Sequence, residues 1–154
     1  EETFRVDISD DDTLRTELRR LADRVGARLR KNGWEASTVS IKVRFADFTT
    51  ITRAQALSDP TAVGQRLGTA AIELFAQLDR PLPVRLVGVR AEKLRPAGGG
   101  GMPLWDDDQE WRRIEGALDG AAERFGSGAV TRATLLGSRR DVGAMPSNPR
   151  PPRP

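Results

Sequence analysis

The chain has 154 residues, 38% of them apolar, and a net charge of only +3, which fits one modest core and gives no global argument for nucleic acid. It contains neither Cys nor His, which excludes a disulfide frame, a thiolate metal site and the commonest general base. No apolar run approaches the ~20 residues of a membrane span, and the acidic start "EETFRVDISDDD" is no signal peptide, so a soluble cytoplasmic chain is expected. That start lacks Met and turns strand-like almost at once, so the chain is expected to be a piece of something longer.

Thr3 to Ile8 alternates, with Phe4, Val6 and Ile8 on one side and Thr3, Arg5 and Asp7 on the other, which is strand periodicity. "SDDD" then offers a cap and a negative first turn to a helix carrying Leu14, Leu18, Leu21, Val25 and Leu29 at helical spacing, which "KNG" ends. A strand follows with Val39, Ile41, Val43 and Phe45 inward and Thr38, Ser40, Lys42 and Arg44 outward. After a corner at Ala46-Asp47 a second strand runs from Phe48 to about Leu57. "SDPT" predicts the next helix, with Asp59 as its cap and Pro60 in its first turn, and Val63, Leu67, Ala71, Leu74 and Leu78 give it one apolar face. "DRPLP" breaks that helix, and "VRLVGVRAEKL" predicts a last strand. "RPAGGGG" reads as a flexible linker, and past "MPLWDDD" Trp111, Ile114, Leu118, Ala122 and Phe125 mark a third amphipathic helix with Gly126 beyond its end. "AVTRATLL" suits one short strand, and the Pro-, Gly- and Arg-rich remainder suits disorder.

The order strand, helix, strand, strand, helix, strand predicts an α+β fold of split-βαβ type: a four-stranded sheet with both helices on one face, plus a C-terminal helix-strand extension. The expected units are a sheet domain over 1–96, a linker over 97–105, the extension over 106–137 and a tail over 138–154. The other sheet face is left open and takes the polar half of every strand. Thr3, Arg5, Lys42, Arg44, Thr52, Arg53, Arg85 and Arg90 are its candidates. Arg85 and Arg90 have opposite parity in a regular strand, and a bulge at Gly88 would bring them to one side. Residues 37–96 hold nine Lys or Arg against five Asp or Glu, and arginine supplies 22 of the chain's 25 cations, so the sheet half is locally basic and rich in the planar fork that suits phosphate. Arg, Lys and Thr without outward aromatics suit the backbone of a duplex, since Phe4 and Phe45 look inward and Phe48 is ambiguous. Polar strand faces are also simply solvated in many domains.

"EETF…DI", "VSIKVRFADFTTITR", "PVRLVGVRAEKL" and "IEGALDGAAERFGSGAVTRATLL" together resemble the C-terminal part of bacterial Y-family translesion DNA polymerases of the polymerase IV type. The likeness covers nearly everything but the tail, and its most specific element is the "KVRFADFTT" hairpin with "VRLVGVR". It implies a little finger domain that docks in the major groove of the primer–template duplex, with Thr3, Thr52, Arg53, Arg85 and Arg90 at the DNA and Lys42 and Arg44 following from strand parity. It implies no catalytic residue and no cofactor in this chain, since such polymerases hold Mg²⁺ with carboxylates of a palm domain. The two Asp-rich runs, Asp10 to Asp12 and Asp106 to Asp108, instead suit helix starts.

"GMPLWDDD" puts Met102, Leu104 and Trp105 on a glycine-rich segment, where they fold back or meet a partner. Members of the resembled family carry a short peptide that plugs into the bacterial sliding clamp, and Gly101 to Trp105 is similar to it, with Met102, Pro103, Leu104 and Trp105 as the clamp residues. Gly101 stands where Gln is usual, and Trp105 where Phe is usual. The competing reading is that Trp105 and Trp111 staple the third helix onto the sheet domain. Two rivals to an active polymerase's DNA grip are a clamp-binding adaptor region of a catalytically inactive homologue and a ferredoxin-like regulatory domain with a metabolite or protein on its sheet. A monomeric chain with no membrane partner is expected.

Overall fold

The structure is a computed structural model and describes residues 1–79, 82–98, 108–126 and 130. The first alternating run forms strand β1, Glu2–Ile8. Phe4 and Ile8 pack on the core as expected, but Val6 is 76% exposed, because the pairing register of β1 slips between Thr3 and Ile8. Helix α1, Asp11–Lys31, starts at Asp10, whose carboxylate accepts from the Thr13 amide at 2.8 Å. That bond holds the Asp10 carboxyl below its ordinary pKa. The helix ends where Gly33, at φ +68°, turns back to the Arg30 carbonyl.

Strand β2 covers Trp34–Phe45 and starts earlier than its alternation suggested. Strand β3, Thr50–Thr61, runs on through Ser58, Asp59 and Pro60, where the sequence predicted a helix start. The reason is positional. β3 is an edge strand whose register to β2 slips between the partners of Ala36 and Thr38, so a proline without an N–H costs the sheet little there. Helix α2 is therefore Gly64–Ala76, capped in sequence by Val63, which offers no side-chain acceptor. Strand β4, Val84–Pro96, and helix α3, Gln109–Phe125, complete the described elements.

The sheet order is β1-β4-β2-β3 with every neighbouring pair antiparallel. It follows that β1 and β2, joined by α1, run parallel with β4 between them, and β3 and β4, joined by α2, run parallel with β2 between them. Two interleaved split βαβ units result, the α+β arrangement the sequence predicted. Leu14, Leu18 and Leu21 of α1 and Leu67, Ala71 and Phe75 of α2 share one buried cluster with Val39, Ile41, Val43 and Val87, so both helices cover a single face. Among the described residues no helix is long and apolar enough to cross a membrane.

Helix α3 uses its expected face only in part, with Trp111, Leu118 and Ala122 half-buried. Phe125 is 77% and Ile114 41% exposed, whereas Glu115 is 2% exposed. The Glu115 carboxylate accepts from the amides of Gly64 at 2.8 Å and Gln65 at 3.0 Å and pairs with Arg30. It thus supplies from another helix the cap that α2 lacks. Arg30 also forks onto Asp119 (2.6 and 3.0 Å) and donates to the Ala62 carbonyl at 2.8 Å. Asp108, the N-cap residue of α3, makes no cap bond. Asp108 thus stands at a helix start, as the acidic run suggested, but its carboxylate goes to Arg66 at 2.8 Å and Thr61 at 3.3 Å instead of capping the helix. The clamp peptide and the C-terminal tail read from the sequence lie outside the described residues, as does the short strand apart from Val130.

Candidate nucleic-acid interface

Directly opposed residues of an antiparallel pair share a face, so the register assigns the open side of the sheet row by row. Thr3, Leu86, Arg44 and Thr50 form one row, Gly88, Lys42 and Thr52 the next, and Arg90, Ser40 and Ala54 a third. Thr3, Arg5, Thr52 and Arg90 are exposed and Lys42 and Arg44 half-buried. Arg44 Nε donates to Thr50 Oγ1 at 3.0 Å, which holds its side chain along the row. Ser40 and Thr38, outward by parity, are nevertheless buried, on a central strand flanked by β4 and β3. Ser40 Oγ donates to Glu92 Oε1 at 2.6 Å.

Acidic groups temper this surface. Glu1 reaches Lys42 Nζ at 3.1 Å, a hydrogen bond that holds the Glu1 carboxyl below its ordinary value. Gly88 leaves room for Glu1, whose Cβ would lie 3.0 Å from a Cβ built at that glycine. Arg5 and Arg90 pair with no carboxylate among the described residues.

Two expectations change in position. The register between β2 and β4 runs without a break from Trp34↔Pro96 to Arg44↔Leu86, so there is no bulge at Gly88. The slip falls between Arg44↔Leu86 and Phe45↔Val84, which leaves Arg85 as the extra residue. Arg85 and Leu86 therefore both turn to the open side, and Arg85 joins Arg90 there by a bulge of its own. Arg53 goes the other way. It opposes Ile41, a core residue, in an unbroken register from Arg44↔Thr50 to Thr38↔Ala56. Thr52 is on the open face; Arg53 stands on the helix side of an edge strand, its Nη1 donating to the Thr52 carbonyl at 3.0 Å.

Phe48 resolves outward. It occupies the β2–β3 turn at φ +68°, 62% exposed, with its ring 4.5 Å from the Arg85 guanidinium carbon. Asp47 builds the turn by accepting from the Thr49 amide and hydroxyl, both at 2.9 Å. Arg85 is held from its other side by Asp7, through Nε to Oδ1 and Nη2 to Oδ2, each 3.0 Å. These bonds lower the Asp7 pKa and raise that of Arg85. The Asp7–Arg85–Phe48 group was not visible in the sequence. Asp7 and Phe48 gave their parity and ambiguity, but their meeting needs the strand order and the Arg85 bulge. Met102, Pro103, Leu104 and Trp105 lie outside the described residues, and the described residues contain no cluster of three or more metal-ligating side chains.

Residues 1–104 match the model of the impB/mucB/samB family C-terminal domain. The chain is 35% identical over 144 residues to DNA polymerase IV 1 of Mesorhizobium japonicum, covering 92% of this chain and 33% of that protein. It is 39% identical over 121 residues to DNA polymerase IV of Desulfatibacillum aliphaticivorans, covering 75% of this chain and 31% of that one. The chain thus spans about a third of the length of these relatives. A solved complex of the β-clamp processivity factor with the little finger domain of PolIV superposes with a TM-score of 0.49 at 22% identity, over 67% of this chain and 93% of that one.

Proposed function

The chain belongs to the impB/mucB/samB family C-terminal domain, and on that premise we propose that it is the duplex-gripping, clamp-docking part of an error-prone translesion DNA polymerase. The observation that carries the reading is the open sheet face, where Thr3, Arg44 and Thr50, then Lys42 and Thr52, then Arg90 stand in successive rows. Cations and hydroxyls at this spacing bond phosphate oxygens and position a duplex without reading its sequence. Arg5 and Arg85 extend the set along the β1 side; Arg53 reaches a backbone only around the β3 edge. Catalysis by the whole protein, with Mg²⁺ held by palm carboxylates, belongs to residues other than these. Relatives named DNA polymerase IV support the polymerase activity of the whole protein and leave the metal and its ligands to the reading proposed here.

Binding of the chain to duplexes of unrelated sequence tests the grip. With about 4–6 phosphate contacts, log K should fall against log salt with a slope of roughly −4 to −5. Equal affinity for each sequence is expected. Binding that ignores salt, or none at all, overturns the reading.

The clamp half rests on Met102, Pro103, Leu104 and Trp105. Leu104 and Trp105 are expected to fill adjacent pockets, each contributing on the order of 2 kcal/mol or more. Pro103 is expected to lower the cost of ordering the peptide on the clamp. In a titration with a purified bacterial β sliding clamp, micromolar binding should vanish in a Leu104→Ala, Trp105→Ala double variant. No binding by the unaltered chain would return Trp105 to the role of a staple.

A further inference from the structure

Asp7 is out of place on a phosphate-binding face. It puts a negative charge beside Arg85, on the side of the sheet that also presents Lys42, Arg44 and Arg90. Its geometry gives it a use. The carboxylate takes the Nε–Nη2 side of the guanidinium with two parallel bonds of 3.0 Å, while the Phe48 ring lies 4.5 Å from the guanidinium carbon. One edge and one face of the group are thereby fixed, and the Nη1 edge is left for a ligand. The backbone is arranged around the same group, since Arg85 is the inserted residue of the β4 bulge and Phe48 holds a left-handed φ of +68°. For a bulky residue that conformation costs on the order of 1–2 kcal/mol. Strain of this kind persists where the surroundings over-determine it.

We infer that Asp7 and Phe48 are positioning residues, which hold the Arg85 guanidinium rigid with its Nη1 edge aimed at a phosphate of bound duplex DNA. The inference rests on the DNA-gripping reading and deepens it. Arginine side chains are costly to immobilise on binding, and Asp7 and Phe48 do so beforehand, in the free protein. Lysine offers neither the fork for Asp7 nor the flat face for Phe48. Asp7 is ionised near neutral pH, because the Arg85 hydrogen bonds hold its carboxyl below the ordinary range.

The opposite expectation comes from charge alone, by which losing Asp7 tightens DNA binding and altering Phe48 does nothing. Duplex affinity is measured for Asp7→Asn and Phe48→Leu, each with Arg85 present and in an Arg85→Ala background, beside Arg85→Lys. Each positioning variant should weaken binding about three- to tenfold with Arg85 present, the cost of ordering one long side chain. Each should have no further effect once Arg85 is alanine. Arg85→Lys, which keeps the charge, should fall with the positioning variants. Tighter or unchanged binding by Asp7→Asn, or losses that persist without Arg85, overturns the positioning role and leaves the DNA grip standing. Absence of salt-dependent duplex binding in the unaltered chain overturns both.

Discussion

Replacing Gly26 with alanine should lower the unfolding free energy by about 1–2 kcal/mol, whereas the same change at Gly68 should raise it by about 0.5–1 kcal/mol. Both glycines are buried within helices that face each other, so composition and burial treat them alike. Their neighbours differ. A Cβ at Gly26 would stand 2.8 Å from the Gly64 amide nitrogen and 2.9 Å from the Ala62 carbonyl oxygen and Gly64 Cα, all backbone atoms that no rotamer can move. At Gly68 the nearest atom is the Ala22 methyl at 3.5 Å, an ordinary contact. Alanine gains up to ~1 kcal/mol over glycine in a helix interior at either site. Only at Gly26 does overpacking of about 1–3 kcal/mol oppose it. Moving the 62–64 segment also strains the Arg30 bond to the Ala62 carbonyl and the Glu115 bond to the Gly64 amide. Urea unfolding with a common m-value reads both changes, and a gain at Gly26 would mean that α1 and the start of α2 separate freely.

That contrast marks where the sequence could and could not be read. Local periodicity found every strand and helix now described, because Leu14, Leu18, Leu21 and Leu29, or Val39, Ile41 and Val43, carry their period in neighbouring residues. The split βαβ arrangement followed from element order. The helix start at Asp59-Pro60 failed because a cap signature describes only a possible local bond. Here the cap comes from Glu115, 51 residues from Gly64. The open face was legible by parity at Thr3, Lys42, Arg44 and Thr52. Grouping Arg53 with Thr52 fails, since two adjacent residues cannot share a face of a regular strand; Arg85 does reach the open side through a bulge, at its own position instead of at Gly88. The apolar stripe of α3 suggested a helix docked by hydrophobic contact, yet its most buried side chain is the acidic Glu115, beside half-buried Trp111 and Leu118. A hydrophobic pattern cannot reveal that, because the attraction depends on Arg30, Arg66 and the α2 amides, which the chain brings together only on folding.

Glu115→Ala should therefore cost about 3 kcal/mol in the docking of α3. The exposed Glu123→Ala on the same helix should stay within about 0.5 kcal/mol. Glu115 meets three donors at once: Arg30 and the Gly64 and Gln65 amides. Removing it leaves two amides at a helix start with no acceptor and Arg30 with half of its carboxylate partners. Burial works against the Arg30 charge, and the Asp119 and Glu115 carboxylates outweigh it, so its pKa stands above the ordinary arginine value. Without Glu115, Asp119 and the more weakly acting Asp23 charge must offset the burial. The loss has a ceiling, because α3 contributes little to the apolar core and can leave once its ionic contacts no longer hold it. Hydrogen exchange separates the two regimes. Below the ceiling, the Gly64 and Gln65 amides lose protection while α3 keeps its own. Above it, α3 exchanges throughout while Leu18, Ile41 and Phe75 stay protected, and the helix is an ion-paired attachment to a sheet domain that folds without it. Unchanged protection at Gly64 and Gln65 in the Glu115 variant would mean that water or a neighbouring group caps α2 as well as this carboxylate does, and that α3 is held elsewhere along its length.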